Sequence, residues 1–236
     1  MTQIDSFICR FLTPDWLTAI GTISASVIAL VIALFGEHLT RCLFHPKLDL
    51  DARVQRPDAE QARRGLKLSP TEMIDIGLSY FFRFAIRNKG NAAARDVQVF
   101  LAKVERVIGK NMSEVDRFTP MNLKWSYTGD TTRKVLLPDM PPVFCDFIHV
   151  SDPASRAVSG EDLSTVPPGD AVICLDVEAP SLNKGHLLEP GTYRFDVRLV
   201  AENHDSRSYS IEVWFPGKWF ADQTEMFDKG FKMKKL

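Results

Sequence analysis

Five histidines and four cysteines are the side chains of this protein best suited to bind a metal or to act as a nucleophile. They are His38, His45, His149, His186 and His204, with Cys9, Cys42, Cys145 and Cys174. No two cysteines have the spacing of a zinc knuckle, and no histidine lies in a metal-binding helix motif. The sequence also lacks a phosphate-cradling glycine loop, a nucleophile elbow and a kinase signature. We therefore predict no catalytic residue, no metal ligand and no cofactor, and we expect a protein that is not an enzyme.

One pair, Cys145 and His149, lies on a single predicted strand with both side chains on the same face. A thiol beside an imidazole would be a candidate nucleophile. Four strand residues separate the two by about 13 Å, however, which is far beyond hydrogen-bond reach. We interpret them as a buried cysteine and an edge histidine. A hydrolase remains the alternative, and its signature would be a deep pocket that gathers His149, His204 or carboxylates with shifted pKa values.

Four arginines form a candidate anion-binding face. They are Arg83, Arg87, Arg194 and Arg198. The members of each pair share a strand parity, so neighbouring strands would join the four guanidinium groups into one patch for phosphates or carboxylates, including anionic lipid. Asp176, Asp196 and Glu212 occupy similar outward positions and would neutralise this patch by cross-strand pairing. A solvated face is the competing interpretation, and it predicts that replacing the first arginine pair by alanine leaves folding intact.

Composition and charge exclude several classes of protein. The chain has 236 residues, of which 45% are hydrophobic and 10% aromatic, enough for a packed core. It carries 29 Lys and Arg against 30 Asp and Glu. The resulting net charge of -1 excludes a nucleic-acid binder that works by bulk basicity, so no nucleic-acid partner is expected.

Residues 16–36 contain no charged side chain and predict a transmembrane helix. Twenty helical residues span about 30 Å, the thickness of the hydrocarbon core of a bilayer. Trp16 stands where an interfacial anchor belongs. A cleavable signal peptide and a buried core helix are the rivals, but Phe35 spoils the signal-peptide cleavage site and 21 uncharged residues are long for a core helix.

The charges that flank the span predict its orientation. Arg10 is the only basic residue before it, whereas four follow it within twenty residues: Arg41, Lys47, Arg53 and Arg56. The positive-inside rule then places the N-terminus outside a bacterial inner (plasma) membrane and the large domain in the cytoplasm. A periplasmic domain is the alternative. Four cysteines without a close-spaced framework are compatible with a reducing compartment.

Small residues recur every four positions along one face of the span. They are Gly21, Ala25, Ala29 and Ala33. Helices in lipid associate where small residues let their backbones approach. This face predicts a homo-oligomer or a membrane-protein partner, although small residues are common in any such span.

After the span, the hydrophobic pattern changes to a period of two, which indicates β-strands. Eight short strands are predicted, at residues 48–54, 80–87, 97–101, 123–127, 143–147, 171–177, 193–199 and 209–215. Because no long amphipathic helix lies between them, parallel crossovers are excluded. The predicted fold is mainly β, an immunoglobulin-like antiparallel β-sandwich preceded by one transmembrane α-helix.

The connections and the C-terminus complete the predicted organisation. Long loops at residues 55–77, 151–170 and 179–191 are places where binding tends to occur, and the first is expected to hold a helical turn at 59–64. The tail is predicted as a short apolar helix followed by a frayed basic end, whose Lys232, Lys234 and Lys235 could touch anionic lipid. The predicted parts are an N-terminal tail (1–15), the transmembrane helix (16–36), a juxtamembrane linker (37–46), the β-sandwich (47–216) and the C-terminal tail (217–236).

The stretch from Ala85 to Val99 resembles bacterial immunoglobulin-like modules of the cell-adhesion-related (CARDB) type. There a strand ends in Asn-x-Gly, here Asn88-Lys89-Gly90, and the next begins with a small residue. We expect Asn88 and Gly90 to adopt left-handed backbone angles. Pro190-Gly191-Thr192-Tyr193 resembles the late hairpin of such modules, in which the tyrosine hydroxyl often pins a corner.

The whole arrangement also resembles uncharacterised bacterial proteins with a single N-terminal span. The shared-looking pieces are residues 43–48, Leu123-Lys124-Trp125, the Pro-Gly-Thr-Tyr hairpin and residues 217–220. This resemblance implies a fold and a location but no activity.

These observations predict a non-catalytic, membrane-anchored β-sandwich that acts as an interaction or sensing module, an accessory subunit of a membrane complex. Binding would use the loops, a sheet edge or aromatic residues such as Trp214, Trp219 and Phe220. The membrane-tethered hydrolase stays as the alternative function.

Overall fold

The computed structural model describes residues 14–67, 69 and 73–236, which form two compact units divided after His45. Most of the predicted N-terminal tail, residues 1–13, lies outside these described residues. The described residues of the first unit form one helix, α1 (Pro14–Leu43). Its segment Trp16–Gly36 has a mean hydropathy of 2.3 and exposed side chains, so it is long and apolar enough to cross a membrane. Inside it, the Thr22 hydroxyl donates to the Thr18 carbonyl at 2.8 Å, as expected for hydroxyls within an apolar helix.

The second unit, Pro46–Leu236, is a β-sandwich of two antiparallel sheets, which confirms the predicted fold class. The first sheet contains β1 (Leu48–Ala52), β2 (Ala59–Lys67), β3 (Met73–Asn88), β7 (Lys124–Trp125), β9 (Val143–Ser151), β10 (Ile173–Leu175) and β11 (Leu187–Leu188). The second contains β4 (Ala94–Ile108), β5 (Asn111–Glu114), β6 (Met121–Asn122), β8 (Thr132–Leu136), β12 (Gly191–Ala201), β13 (His204–Phe215) and β14 (Lys232–Lys235). In the described part of this unit, the strands are interrupted only by short helical turns. They are a 3-10 turn (Pro153–Ser155), α2 (Arg156–Ser159) and α3 (Gln223–Glu225), which continues as a π-turn over Met226–Gly230.

The long strand β3 organises the first sheet. One of its edges is shared by β1, opposite Phe84 to Asn88, and by β2, opposite Met73 to Phe82. Its other edge pairs with β9, which in turn pairs with β10 and β7. In the second sheet, β12 lies between β13 and β4. Alternating side chains of both sheets form one apolar core, as a period of two requires.

Aromatic rings join the two sheets at the centre of this core. Phe84 and Phe147 of the first sheet stack at 4.3 Å between ring centroids. Phe147 also meets Phe195 of the second sheet edge-on at 4.9 Å. Such pairs add about 0.5–1.5 kcal/mol beyond the apolar area that they bury. The core is thus filled by large side chains where the sheets face each other.

Residues 59–64 and the C-terminal end are two of the segments that differ from the sequence-based expectation. Residues 59–64, expected as a helical turn, belong to the strand β2, because β3 extends far enough towards its N-terminus to offer a hydrogen-bonding edge. The C-terminal end is not frayed, because β14 pairs with β13. Phe231 is fully buried and stacks on Phe82 at 3.6 Å between ring centroids, which ties the end of the chain to the core.

The turn after β3 owes its shape to hydrogen bonds rather than to unusual backbone angles. Neither Asn88 nor Gly90 has a positive φ, so the expectation of left-handed angles was wrong. Instead the Asn88 side chain is buried, accepts from the amides of Lys47 and Gly90, and donates to two carbonyls. The expected tyrosine contact is present, since the Tyr193 hydroxyl donates to the Glu189 carbonyl at 3.0 Å.

Candidate functional site

Cys145 and His149 do not share a face of β9, contrary to the sequence-based expectation. The pairing register between β3 and β9 shifts by one residue, so Phe147 has no directly opposite partner. Such an irregularity reverses the parity of the residues on either side of it. Cys145 therefore faces the core, where its thiol donates to the Lys124 carbonyl at 3.3 Å, and His149 faces the outer side of the sheet.

On that outer side, His149 is held between two carboxylates. Its Nδ1 lies 2.9 Å from Oδ1 of Asp176, and its Nε2 lies 2.9 Å from Oε1 of Glu161. The residue is only 5% exposed. Phe81, directly opposite on β3, places its ring 5.6 Å from the imidazole. Both ring nitrogens thus have a fixed partner in a site from which water is largely excluded.

The antiparallel pairing of β9 with β10 brings a thiol to the same place. Cys174 lies directly opposite His149, and opposite residues of antiparallel strands project from the same face about 5 Å apart. Asp176, two residues further on, projects from that face too. Cys174, Glu161 and His149 each offer a potential ligand atom, and these atoms lie within 4.8 Å of one another.

Glu161 reaches the site from the loop between β9 and β10, which a buried arginine holds in shape. Arg156 is 3% exposed. Its guanidinium group donates to four backbone carbonyls and to one carboxylate: Pro167 O, Asp170 O, Leu163 O, Val166 O and Asp162 Oδ1. The amide of Glu161 in turn donates to the Arg156 carbonyl at 3.1 Å. The loop is a packed element with its own small apolar cluster, and Glu161 is positioned by it.

Arg64, on the edge strand β2, contributes a positively charged group to the cluster. Arg64 lies on β2, which pairs only with β3 among the described strands. Its guanidinium group forms an ion pair with Glu161 and contacts Nε2 of His149. The Arg64 side chain is 18% exposed, so it closes the cluster on the side that faces solvent. Two carboxylates, an imidazole, a thiol and a guanidinium group therefore meet in one place.

Charge and burial set the pKa values of this cluster. Burial alone would lower the pKa of His149, but the negative charge of Asp176 outweighs it and raises that pKa well above 6.5. Burial alone would raise the pKa of Glu161, but the hydrogen bond with His149 and the positive charges of His149 and Arg64 lower it to about 2. Burial raises the pKa of the Cys174 thiol, so this sulfur is protonated at neutral pH.

A cavity of about 520 Å³ lies beside the cluster. Its lining includes all five clustered residues together with Lys124, Lys184 and His186. Nδ1 of His186 is buried and has no hydrogen-bond partner within the described part of the chain. Burial lowers the pKa of this imidazole, which is therefore neutral. The cavity offers a charged and hydrogen-bonding surface of the size that small ligands occupy.

The four arginines of the predicted anion-binding face are not brought together. Arg83 and Arg87 lie on β3, whereas Arg194 and Arg198 lie on β12 of the other sheet. Arg83 is moreover buried and forms ion pairs with Glu60 at 2.6 Å and Asp146 at 2.9 Å. A single patch of four guanidinium groups does not form, because the two strands are not neighbours.

The C-terminal lysines lie on an ordered edge strand. Lys234 forms an ion pair with Glu212 at 2.8 Å, and Lys235 donates to the Leu50 carbonyl at 2.8 Å. Lys232 lies 5.5 Å above the ring of Trp214. Charged side chains on an edge strand also discourage edge-to-edge association with another chain.

The other residues singled out from the sequence lie elsewhere. His204 accepts from the Leu48 amide at 3.3 Å and does not line the cavity. Trp219 packs on Tyr80 with ring centroids 4.8 Å apart, so it is part of the core packing. Gly21, Ala25, Ala29 and Ala33 lie at exposed positions of α1.

Sequence reasoning missed that His149, Glu161, Cys174 and Asp176 converge. One signal was present, because Cys174 and Asp176 alternate with the apolar Ile173, Leu175 and Val177 and therefore share the outer face. Glu161 had no such signal, since it reaches the site through the fold of a loop. No family model, no curated protein and no solved structure matches this chain.

Proposed function

We propose that this chain is a single-pass membrane protein whose β-sandwich binds a small polar ligand in the cavity beside His149, as a non-catalytic sensing module of a membrane complex. The convergence of His149, Glu161, Asp176, Cys174 and Arg64 on one cavity is the observation that carries the proposal. Buried charged groups are costly to maintain unless they are paired, and they concentrate at functional sites. The core on the other side of the same sheet is filled with apolar side chains.

Membrane attachment is supported by α1 and by the flanking charges. The segment Trp16–Gly36 meets the length and hydropathy that a bilayer requires. Basic residues are more frequent after the span, which favours a cytoplasmic β-sandwich at a bacterial inner membrane. The CARDB-type resemblance belongs to the same proposal, as does a homo-oligomer or membrane partner held by the small-residue face of α1.

The burial of the two candidate nucleophiles, Cys174 and Ser151, and the protonation of the Cys174 thiol favour binding over catalysis. The Cys174 thiol is buried and its pKa is raised, so it is not the thiolate that would attack a substrate. Ser151, also on β9, is 2% exposed and hydrogen-bonds to Ser79 at 3.1 Å. Neither group is presented to a substrate in the manner of an activated nucleophile.

A hydrolase is the second candidate, because the Asp176–His149 pair with Cys174 opposite has the members of a thiol triad. It predicts turnover of activated esters and rapid alkylation of Cys174 by iodoacetamide at pH 7. We expect neither. Stoichiometric alkylation of Cys174 together with ester turnover that is lost in Cys174→Ser would favour the hydrolase over the binding module.

Thermal unfolding of the full chain in detergent micelles tests the binding proposal. The probes are separate additions of Zn²⁺, Mg²⁺, inorganic phosphate and citrate, each to wild type, to Glu161→Gln and to the exposed control Glu202→Gln. We expect at least one probe to raise the midpoint of wild type and of the control but not that of Glu161→Gln. Equal shifts in all three proteins, or no shift with any probe, would contradict a ligand site in this cavity.

Protease protection on sealed membrane vesicles tests the topology. With a cytoplasmic β-sandwich, protease added to inverted inner-membrane vesicles digests the domain, whereas protease added to intact spheroplasts does not. The opposite pattern would place the domain in the periplasm, and removal of the protein by carbonate washing would contradict the anchor.

A further inference from the structure

The metal-ligating groups around His149 carry an inference that rests on the proposed ligand site and names its ligand. His149 offers an imidazole nitrogen, Glu161 a carboxylate oxygen and Cys174 a sulfur, all within 4.8 Å of one another. Nitrogen, oxygen and sulfur together form a ligand set of intermediate softness. Mg²⁺ and Ca²⁺ prefer oxygen ligands only, whereas Zn²⁺ accepts all three.

We propose that the cluster is a zinc site in which Nε2 of His149, the carboxylate of Glu161 and Sγ of Cys174 bind Zn²⁺, with a fourth position open to the cavity. Because metal ligands must be deprotonated, binding releases the thiol proton of Cys174 and the Nε2 proton of His149 to solvent. Zinc bonds of about 2.0–2.3 Å in tetrahedral geometry place ligand atoms about 3.5 Å apart. Nε2 of His149 and Oε1 of Glu161 already lie 2.9 Å apart. Because the ligand atoms of all three residues lie within 4.8 Å of one another, side-chain rotations suffice to bring them to these separations.

The surroundings of His149 support the metal assignment. Zinc-bound histidines usually donate their other ring N–H to a carboxylate, which fixes the tautomer and the ring orientation. Asp176 occupies that place, with Oδ1 2.9 Å from Nδ1 of His149. With Nδ1 engaged in this way, Nε2 is the metal-binding nitrogen, once zinc has displaced the proton that Nε2 shares with Glu161 in the metal-free site. His186, whose buried Nδ1 has no hydrogen-bond partner among the described residues, lines the same cavity, so a second imidazole borders the space into which the fourth position would open.

Arg64 takes the place of the cation in the metal-free arrangement. Its guanidinium group contacts the same two atoms that would bind zinc, Nε2 of His149 and Oε1 of Glu161. Both positive groups cannot occupy this small space, because two unshielded like charges repel strongly at low dielectric. Zinc binding therefore requires Arg64 to swing towards solvent, which its position on an edge strand permits. Zinc binding would thus replace the guanidinium group of Arg64 by a metal ion taken up from solution.

Zinc titration of the full chain in micelles, against a competing fluorescent chelator, tests this inference. We expect one Zn²⁺ per chain. Cys174→Ser, His149→Gln and Glu161→Gln should each weaken binding by roughly 100-fold or more, and Asp176→Asn by roughly 10- to 100-fold. Arg64→Gln should tighten binding by roughly tenfold, since the competing ion pair is gone. Because tighter zinc binding in Arg64→Gln cannot result from misfolding, the test remains decisive even if a variant that lacks a zinc ligand folds poorly.

Cobalt supplies a spectroscopic readout of the sulfur ligand. Co²⁺ bound to the wild type should show a thiolate-to-metal charge-transfer band, absent from Cys174→Ser. The matched control replaces the other three cysteines, Cys9, Cys42 and Cys145, by serine, and it should keep the band and the stoichiometry. Loss of the band in that control, unchanged binding in Cys174→Ser, or no stoichiometric zinc in the wild type would each overturn the zinc site.

Failure of the zinc site is distinguishable from failure of the ligand site. If zinc does not bind but phosphate or citrate shifts the unfolding midpoint of wild type and not of Glu161→Gln, the ligand site stands and the metal assignment is wrong. If none of the probes distinguishes Glu161→Gln from wild type, both proposals fail.

Discussion

Cys174 lies directly opposite His149 in the pairing of β10 with β9, on the outer face of the first sheet. Both side chains project from the face of the sheet that is opposite to the central core, so neither of them fills that core. Their contact is a consequence of sheet register, and that register is fixed by the apolar neighbours Ile173, Leu175 and Ile148, which are all buried. The packing of the core thus positions the chemistry on the opposite face.

The pKa values of Glu161 and His149 predict how the stability of the chelator-treated protein depends on pH. Glu161 has a pKa of about 2 against 4.5 for a free glutamate, so its contribution is present above pH 4.5 and is lost as the pH falls towards 2. His149 has a pKa raised above 6.5, so its contribution is present below pH 6.5 and is lost as the pH rises through the folded-state pKa. We expect maximal stability between these limits.

Denaturant unfolding across pH 2 to 9 measures this dependence. Because the two shifts share the His149–Glu161 ion pair, they are not additive, and we expect a loss of about 2–3 kcal/mol on the acid side. Glu161→Gln should flatten the acid limb, whereas the exposed Glu202→Gln should leave it unchanged. If both variants lost the same unfolding free energy at low pH, the neighbours of Glu161 would not be what lowers its pKa.

Arg156 predicts the stability of the loop that carries Glu161. Replacing this buried arginine by alanine removes a donor from four carbonyls; those of Leu163 and Pro167 still accept from the backbone amides of Val166 and Asp170, whereas those of Val166 and Asp170 lose the arginine donor. We expect a loss of about 3 kcal/mol in unfolding free energy, because buried acceptors without a partner cost about 1–3 kcal/mol each and the loop relaxes in part. Hydrogen exchange of residues 157–170 should accelerate more than that of β12. The exposed Arg133→Ala is the control, and protection equal to wild type in Arg156→Ala would contradict the role of the arginine.

The site shows which parts of this protein its sequence could predict. The alternation of polar and apolar residues around Cys174 and Asp176 predicts a shared face. The position of His149 depended on a register shift at Phe147, and no local pattern marks such a shift. Glu161 and Arg64 arrive from a loop and an edge strand that are distant in sequence, so their convergence is a property of tertiary structure alone.

Arg83 gives a second stability prediction, opposite to the one that a solvated face implies. Its guanidinium group is buried between Glu60 and Asp146, and burial raises the pKa of Asp146 although Arg83 acts against this. Arg83→Ala leaves two carboxylates without their counter-ion, so we expect a loss of about 3 kcal/mol or more. Arg87→Ala, on the same strand and partly exposed, should cost less than about 1 kcal/mol. Equal losses for the two variants in urea unfolding would contradict this assignment.

Strands in which apolar and polar residues alternate were predicted correctly, because one face of each covers the buried core. Strands composed mostly of polar residues were not predicted. β12 and β13 carry the regular alternation of Tyr193 to Leu199 and Tyr209 to Phe215, and both were placed correctly. β2 contains Glu60, Gln61 and two arginines, so its pattern resembles an exposed helix rather than a strand. It is a strand because β3 offers it an edge, which is a tertiary effect that overrides local propensity.

The small-residue face of α1 predicts self-association in the membrane. Ala25 and Ala29 lie at exposed positions of the helix, one turn apart. Replacing both by isoleucine keeps the segment apolar but prevents close approach of a second helix. Disulfide-independent cross-linking in native membranes should therefore fall to background in the double variant. Val27→Ile and Val31→Ile together, on another face, should leave cross-linking unchanged, and unchanged cross-linking in the alanine variant would exclude this face as the contact.

Phe231 predicts that the C-terminal segment is part of the folded β-sandwich. Its ring is fully buried and stacks on Phe82, and β14 directly after it pairs with β13. Phe231→Ala removes a buried aromatic side chain and leaves a cavity, so we expect a loss of about 3–5 kcal/mol in unfolding free energy. Phe227→Ala, only partly buried, should cost less. A C-terminal segment that behaved as a frayed tail would tolerate both substitutions equally, and urea unfolding of the two variants in parallel distinguishes these outcomes.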